Sequence, residues 1–519
     1  MPVLTDLRIP LDKLADLTTL AANALGVRPK DVTHVAVLRR SLDARGQHPR
    51  WVISLAVGLR GAPAPVPEPT PIVAPEVADV GRRVVIVGAG PAGLFAALRC
   101  ADAGIPCTVL DRGGALKDRH QRSRRLRAHG ELDAETNLCF GEGSAGTYSD
   151  GKLYTRKKDP RVREVYERLV AFGASAEILS VAHPHVGTNE LIPVLHTMHA
   201  WLVERGVTFR FDTRLEDLEL DPSGRVRGLL VRARGGEMIE HIAADVVVLA
   251  TGHSARDTYM MLAQRGVTMG SKPFAVGARV EHPQDLIDRA QLGAAAGRED
   301  VGAAEYFLKC QLEDRGVYSF CMCPGGFIIP TPTEPGHLNV NGMSNASRAN
   351  GLSNAALVVT TEPSDHSPSG DPLEGLAWQR AIERRAFLAG GGDYAAPATR
   401  LVDFVEGRGS STLPARSSYR PRLTAGNVAE VLPDFVVRAL RQAARRFEGQ
   451  LRGYLTNEAV LVAAETTTSS PIRILRDERL EAVNTPGLYP AGEGAGFAGG
   501  IVSSAIDGMR AVEAALRRG

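Results

Sequence analysis

Aromatic residues make up only 5% of this 519-residue chain, and its six cysteines include no C-x-x-C pair. The first shortage means that an interior of this size is built from aliphatic side chains, and at 44% hydrophobic residues the chain has enough of them. The second leaves no zinc-site spacing, and points to free thiols in a reducing compartment. No metal site is expected. No apolar run approaches the ~18 residues that cross a bilayer. The start of the chain, MPVLTDLRIPLDKL, has no basic segment leading into an apolar core, so a cytoplasmic protein without a secretory signal or membrane contact is expected. A net charge of +2 lacks the basic excess of a dedicated nucleic-acid binder, and no nucleic-acid partner is expected. Nothing in the sequence sets an oligomeric state.

Val3 to Ile9, Val32 to Leu38 and Trp51 to Leu59 have strand composition, and Leu11, Leu14, Leu17, Leu20 and Ala21 recur at helical spacing. Residues 1–62 are therefore expected to form an accessory α+β domain. Residues 63–81 begin with PAPVPEPTPIVAPE and are expected to be an extended, semi-rigid linker.

Directly after it comes VVIVGAGPAGLFAALRCADAGIPCTVLD, residues 84–111. Four buried-strand residues lead into Gly88-Ala-Gly90-Pro91-Ala92-Gly93, an Ala- and Leu-rich helix follows, and a second apolar run ends on Asp111. Strand, glycine turn, helix, strand and acid are the parts of a dinucleotide site. Gly88 permits the tight turn, Gly90 lets backbone approach a pyrophosphate, and Gly93 lets helix and strand pack closely. The helix N-terminus offers N–H groups and a positive dipole end to the phosphates. Asp111 is placed to accept from a ribose diol.

Two later segments select the nucleotide. Asp245 to Ala250 is a buried strand that runs into Thr251-Gly252, and Gly487 to Gly492 repeats strand and glycine turn before Glu493. Gly496 to Ile501 then opens a final helix. This pattern favours FAD over NAD. Glu493 would face a ribityl hydroxyl, and the helix start at Gly499, Gly500 and Ile501 would face the flavin pyrimidine, stabilising negative charge on the reduced ring. No second Gly-x-Gly-x-x-Gly follows a strand, so NAD(P)H is expected only as a transient electron donor. The expected fold is α/β: a Rossmann-like FAD-binding domain of the GxGxxG type from residues 82–255 and 456–519, an inserted α+β substrate domain at 256–455, and the small N-terminal α+β domain.

Further blocks carry a resemblance. They are NLCFGEGSAGTYSDGK at 137–152, PHVGT at 184–188, ATGHSARDTY at 250–259, KPFAVGARVEHPQ at 272–284 and YSFCMCPGG at 318–326. NGMSNASR at 341–348, ETTTSSPIRI at 465–474 and YPAGEGAGFAGGI at 489–501 complete the set, with SLDAR at 41–45 near the start. In this order they resemble the poorly characterised FAD-dependent dehydrogenase family of bacteria and plastids, related to the fumarate-reductase-like and aminoacetone-type flavoproteins. The resemblance implies FAD and a redox fold, and it names no reaction. Ser144 stands where relatives often carry Gly, and Glu493 where many other flavoproteins carry Asp.

The four glycines in 137–152 allow backbone to lie against the pyrophosphate or the isoalloxazine, or else the segment is a surface loop. The cofactor set drawn from it is Asn137, Gly143, Gly146, Thr147 and Lys152, the last to offset charge on a reduced flavin. Arg112, Arg119, Leu215 and Ala250 join that set. The run Lys117 to Arg127 reads mainly as a solvated helix, otherwise as a phosphate or acidic-substrate contact. His253 is a candidate proton donor with a pKa near neutrality, or a packing residue. Glu465 and the hydroxyls after it form a pocket wall, or cap helices and line a strand end. Cys321 and Cys323 would share one face of a strand and act as a thiol pair toward the flavin, or pack as small hydrophobes.

The reading is an FAD-dependent oxidoreductase that transfers hydride between a small organic substrate and the flavin, dehydrogenation first. His253, Glu465 and Cys321 are the catalytic candidates. The alternatives are a reductase or monooxygenase fed by NAD(P)H, an RNA-modifying flavoprotein, and a non-catalytic flavin-binding protein.

Overall fold

Val84–Val87 is the middle strand of a five-stranded parallel sheet in the order Leu488–Pro490, Val246–Leu249, Val84–Val87, Cys107–Leu110, Val207–Arg210. The computed structural model describes residues 2–14, 16–45, 48–61, 81–313 and 315–517. All but one residue of the proposed linker lie outside that set. Both faces of the sheet are covered, which is why its strands read as unbroken apolar runs. Val84, Ile86, Val246 and Val248 pack against the helices Pro91–Asp102, Thr188–Glu204 and Ile501–Leu516. Val85, Val87, Val247 and Leu249 face the antiparallel strands Thr213–Leu220 and Val226–Ala233 and the helix Arg256–Gln264.

The turn glycines set how closely these pieces approach. A Cβ on Gly93 would lie 1.8 Å from the carbonyl oxygen of Gly88, and one on Gly508 would lie 1.9 Å from that of Ala92. The first and last helices of the cofactor domain therefore meet backbone to backbone. Gly93→Ala should weaken FAD binding by about 10–100-fold, the equivalent of the ~1–3 kcal/mol that overpacking costs. The flavin-to-protein absorbance ratio of the purified variant, followed by FAD titration, checks this.

A second, mostly antiparallel sheet of seven strands follows. Its central pair, Phe274–Pro283 and Leu352–Thr361, runs in register over ten residues. The amphipathic helix Asp434–Gln450 covers it with Val436, Leu440, Ala443 and Phe447. The edges of this unit differ from the expected boundaries. Val460–Glu465 pairs with Phe274–Pro283 and Ala396–Arg400, so the chain returns to the parallel sheet later than residue 456. At the other end, Tyr259, Met261 and Leu262 of helix Arg256–Gln264 pack on the cofactor side. An apolar stretch alone does not tell which of two sheets a strand will join.

The N-terminal strands Val3–Pro10 and Val32–Asp43 flank Arg50–Leu59 in an antiparallel sheet. Trp51, Ile53, Leu55 and Val57 alternate inward and share an apolar core with the seven-stranded sheet. Arg40 bonds across to the cofactor domain, donating from its N–H to Ser180 O at 2.7 Å and accepting from Ala182 N at 2.9 Å. Among the described residues no helix is long and apolar enough to cross a membrane, and no cluster of His, Cys, Asp and Glu has metal-ligand geometry.

Candidate functional site

The cleft opens at the carboxyl ends of the parallel strands, where open α/β sheets bind ligands. Gly88 (φ 106°) turns so tightly there that a Cβ would lie 2.3 Å from the carbonyl oxygen of Ala250, and Ala250 N donates to Val87 O at 2.8 Å. Gly88, Asp111, Arg112, Phe140, Leu215 and Thr251 line the cleft, with Ser144 (φ 47°) across from Gly90. Arg112 forms its wall. The guanidinium sits 4.5 Å from the Phe140 ring centre and is paired with Glu135 and Asp257 at 2.8 Å each.

Asp111 does more than wait for a ribose. Its carboxylate accepts from Ala89 N at 2.8 Å and from Gly113 N and Gly141 N at 2.9 Å, so it staples the first glycine turn to the 137–147 loop. Burial lifts its pKa above the ordinary aspartate value despite those amides and nearby Arg119.

Arg119 departs furthest from expectation. It is fully buried, and its Nε donates to Asn137 O, one terminal nitrogen to Glu142 O and Thr147 Oγ1, the other to Leu138 O and Ser144 O. With every N–H used on the protein it has none for a phosphate. Asn137 is spent in the same way: its amide donates to Asp133 O and Ala134 O and accepts from Cys139 N and Phe140 N. Thr147 lies fully buried beneath Gly143, where a Cβ would meet its hydroxyl at 2.1 Å. These residues shape the loop, and the loop's backbone is left to face a ligand. The rest of the basic run lies on helix Leu116–His129, where Arg124 and Arg125 are exposed as a solvated face would be.

The C-terminal turn closes the cradle. A Cβ on Gly494 would lie 2.5 Å from the carbonyl oxygen of Gly252, so the turns after two neighbouring strands touch. A Cβ on Gly146 would meet Pro91 Cγ at 3.2 Å and Ile501 Cγ1 at 3.3 Å, which brings both helix starts and the 137–147 loop together. By contrast, a Cβ on Gly252, Gly499 or Gly500 would meet nothing within 4 Å. Bare backbone with open space in front, at a helix N-terminus, fits a flat anionic ring system and a pyrophosphate. Two residues outside the expected site hold this turn. Asp507 accepts from Gly492 N at 2.8 Å and pairs with Arg476 at 2.7 Å, and Arg476 also caps Pro490 O. A lone acid in the apolar helix IVSSAIDGM was the available signal, since a buried carboxylate needs partners.

Ionisable groups converge where this turn meets the seven-stranded sheet. His253 Nδ1 lies 3.6 Å from Glu493 Oε1. Burial, then Arg256 and Lys272, push the imidazole down to about 4, so it is neutral at pH 7 and is not the near-neutral proton donor expected. Burial raises Glu493 to about 7, against the pull of Lys272. Lys272 is held by Ser470 O at 2.9 Å and Ser469 Oγ at 3.1 Å, and Tyr259 donates to Gly494 O at 2.6 Å. Glu465 is fully enclosed, paired with Arg279 at 2.7 Å, and raised to about 7 by burial. The hydroxyls after it fasten the chain: Thr466 donates to Glu383, Thr468 to Ala275 O and Ser470 to Ile472 O. Their second reading, as strand-end fasteners, describes them.

Lys152 bonds to Asp150 at 2.9 Å and to Met322 O. Burial opposes its charge, but Asp150 and neighbouring acids outweigh this and raise its pKa. Cys321 is partly exposed beside it, and Cys323 is fully buried.

Comparison with known proteins points to the same cofactor. A family described as "FAD-dependent protein, C-terminal domain-like" matches residues 273–468, and "FAD binding domain" matches residues 83–123. A protein of Clostridium beijerinckii is 42% identical over 441 residues, 84% of this chain and 81% of its own length. The chain belongs to a family of FAD-dependent proteins. A domain of unknown function, DUF8436, matches residues 1–58. The Clostridium relative is itself described as an uncharacterized protein. Among solved structures, a 3-ketosteroid-Δ4-(5α)-dehydrogenase of Rhodococcus jostii is 15% identical, covering 84% of this chain and 97% of its own, at a TM-score of 0.34. A flavoprotein/dehydrogenase of Cytophaga hutchinsonii is 12% identical, with 83% and 76% covered and a TM-score of 0.36. In this FAD-dependent oxidoreductase Gly88 to Gly93, the 137–147 loop, Thr251-Gly252 and the turn from Gly492 to Ile501 meet at the carboxyl ends of the parallel strands.

Proposed function

We propose that this chain is an FAD-dependent dehydrogenase of a small organic substrate, acting without nucleic acid or membrane. Bound FAD supplies the acceptor for the substrate's hydride. The observation that carries the reading is the carboxyl of Glu493, poised near pH 7 on the cofactor turn beside a neutral His253. A dehydrogenation releases a proton along with the hydride, and a group half-ionised at working pH is suited to take it. His253 keeps its ring against the backbone of Thr467. Lys272, whose pKa burial and Arg473 lower, balances the charge when Glu493 ionises. Tyr259 fixes the turn that carries Glu493.

Anaerobic reduction of the purified holoprotein, followed at the flavin band, tests this. NADH and NADPH should leave the band intact while dithionite bleaches it, and a metabolite screen should find an organic reductant. Rapid bleaching by either nicotinamide would sink the proposal in favour of a reductase or oxygenase.

A further inference from the structure

Two thiols stand at the junction of the sheets with no part in that chemistry. Regular strand geometry would hold the Cα atoms of Cys321 and Cys323 about 6.6 Å apart, at the wide end of the disulfide range and with parallel Cβ vectors. The strand is not regular there. Phe320 pairs with Ala356 and Cys323 with Asn354, so Cys321 and Met322 together oppose the single residue Ala355. This is a β-bulge, a device that shortens a strand and re-aims a side chain. Cys321 has φ 45°, in the left-handed region that a non-glycine residue rarely occupies. The turn folds Cys323 back until its sulfur lies 3.3 Å from the carbonyl oxygen of Cys321, so that its single S–H can donate to that carbonyl or to the Cys321 sulfur.

The surroundings divide the pair into unlike thiols. The Cys323 hydrogen bond, together with Lys152 and Arg279, draws Cys321 down to about 6 against burial. The same hydrogen bond and burial push Cys323 up. Cys321 is therefore the thiolate and the partly exposed member, and Cys323 is the buried thiol. Both cations are pinned, Lys152 by Met322 O in the bulge itself and Arg279 by the Cys321 carbonyl at 3.3 Å. Lys152 ends the glycine-rich 137–152 segment, so its bond to Met322 O sets the pair against that segment.

We propose that Cys321 and Cys323 form a dithiol–disulfide couple that exchanges two electrons with the bound FAD. In the oxidising direction the S–S bond forms between Cys321 and Cys323, the Cys323 proton is released, and two electrons pass to the flavin. That flavin takes up two protons, one from Cys323 and one from solvent. In the reverse direction the reduced flavin cleaves the disulfide and regenerates the thiolate and the thiol. The couple needs FAD and does not depend on which organic substrate the enzyme oxidises. It gives the enzyme a route to a disulfide-containing electron acceptor.

The test uses the FAD-loaded protein, oxidised anaerobically with diamide and freed of it. Dithionite titration should consume four electrons per FAD in the wild type and two in Cys323→Ser. Alkylation before and after diamide, read by mass spectrometry of the peptide spanning 317–326, should show both thiols lost together and regained on reduction. Photoreduction of the flavin in the disulfide form should be followed by its reoxidation as the thiols appear. Cys321→Ser, with FAD content as the folding control, should behave as Cys323→Ser does. An uptake of two electrons in the wild type, or alkylation of both thiols after diamide, overturns the proposal. Failure of nicotinamide or metabolite reduction would not touch it.

Discussion

Arg279→Met is expected to destabilise the protein by about 3–5 kcal/mol, the usual consequence of removing one partner of a buried ion pair. Arg279 is fully buried on the central strand Phe274–Pro283. Its Nε donates to Glu465 at 2.7 Å, and its terminal nitrogens donate to Asn354 Oδ1 at 2.9 Å and Cys321 O at 3.3 Å. The neighbouring hairpin is shaped around it, since a Cβ on Gly342 would lie 1.9 Å from its Nη1. Without the guanidinium, Glu465 keeps its burial and loses its counter-charge. Its pKa, already raised to about 7, then rises further. A carboxyl whose folded pKa exceeds its unfolded value of about 4.3 adds stability below that value and loses it as pH rises through the folded pKa. The deficit of the variant should therefore be smallest near pH ~5 and largest near pH ~8. Urea unfolding at both pH values measures it. Arg279→Met/Glu465→Met, which removes both charges, should recover most of the loss. A deficit below ~1 kcal/mol at pH ~8 would mean that solvent reaches Glu465 and screens it.

How far the sequence discloses this molecule depends on whether a feature is local. The turn from Gly88 to Gly93 is legible because strand, spaced glycines and helix follow one another directly in the chain, even though Gly88 packs on Ala250 and Gly90 faces Ser144. The Gly492–Ile501 turn is legible for the same reason. Arg119 is not: five partners drawn from residues 137–147 decide that it builds a loop instead of binding phosphate. The pair Asp507–Arg476 and the pair Arg256–Glu383, at 2.6 Å, join residues 31 and 127 positions apart, and neither partner signals the other in the sequence. The domain edges at 256 and 456 are displaced for a related reason, because helix Arg256–Gln264 and strand Val460–Glu465 are apolar enough for either sheet. The bulge at Cys321 is invisible in YSFCMCPGG, since a register shift belongs to the pairing and not to one strand.

The second large effect concerns Glu493. Glu493→Gln should lower the rate of substrate-driven flavin reduction by about 10²–10⁴-fold, the range for loss of a general base. Bound FAD should be retained, because an amide still reaches a hydroxyl on the ribityl chain by hydrogen bonding. In the wild type the carboxyl is raised to about 7 by burial, with Lys272 opposing, so the basic form grows in as pH rises through neutrality. The rate should therefore climb from pH ~6 to pH ~8 and level off, and the variant should be flat over that window. His253 is neutral throughout, its pKa being held near 4, so His253→Asn should leave the shape of the profile unchanged. A readout free of turnover is the flavin absorbance of the resting protein. Ionisation of Glu493 beside the cofactor should shift it across the same pH range, and Glu493→Gln should abolish the shift. A variant that keeps the wild-type rate and loses only the spectral shift would make Glu493 a ribityl contact alone and move the base to another group at the junction. Loss of FAD from the variant would instead make the cofactor contact its main role, and Glu493→Asp would then separate the two, since the shorter carboxylate retains the base but not its reach.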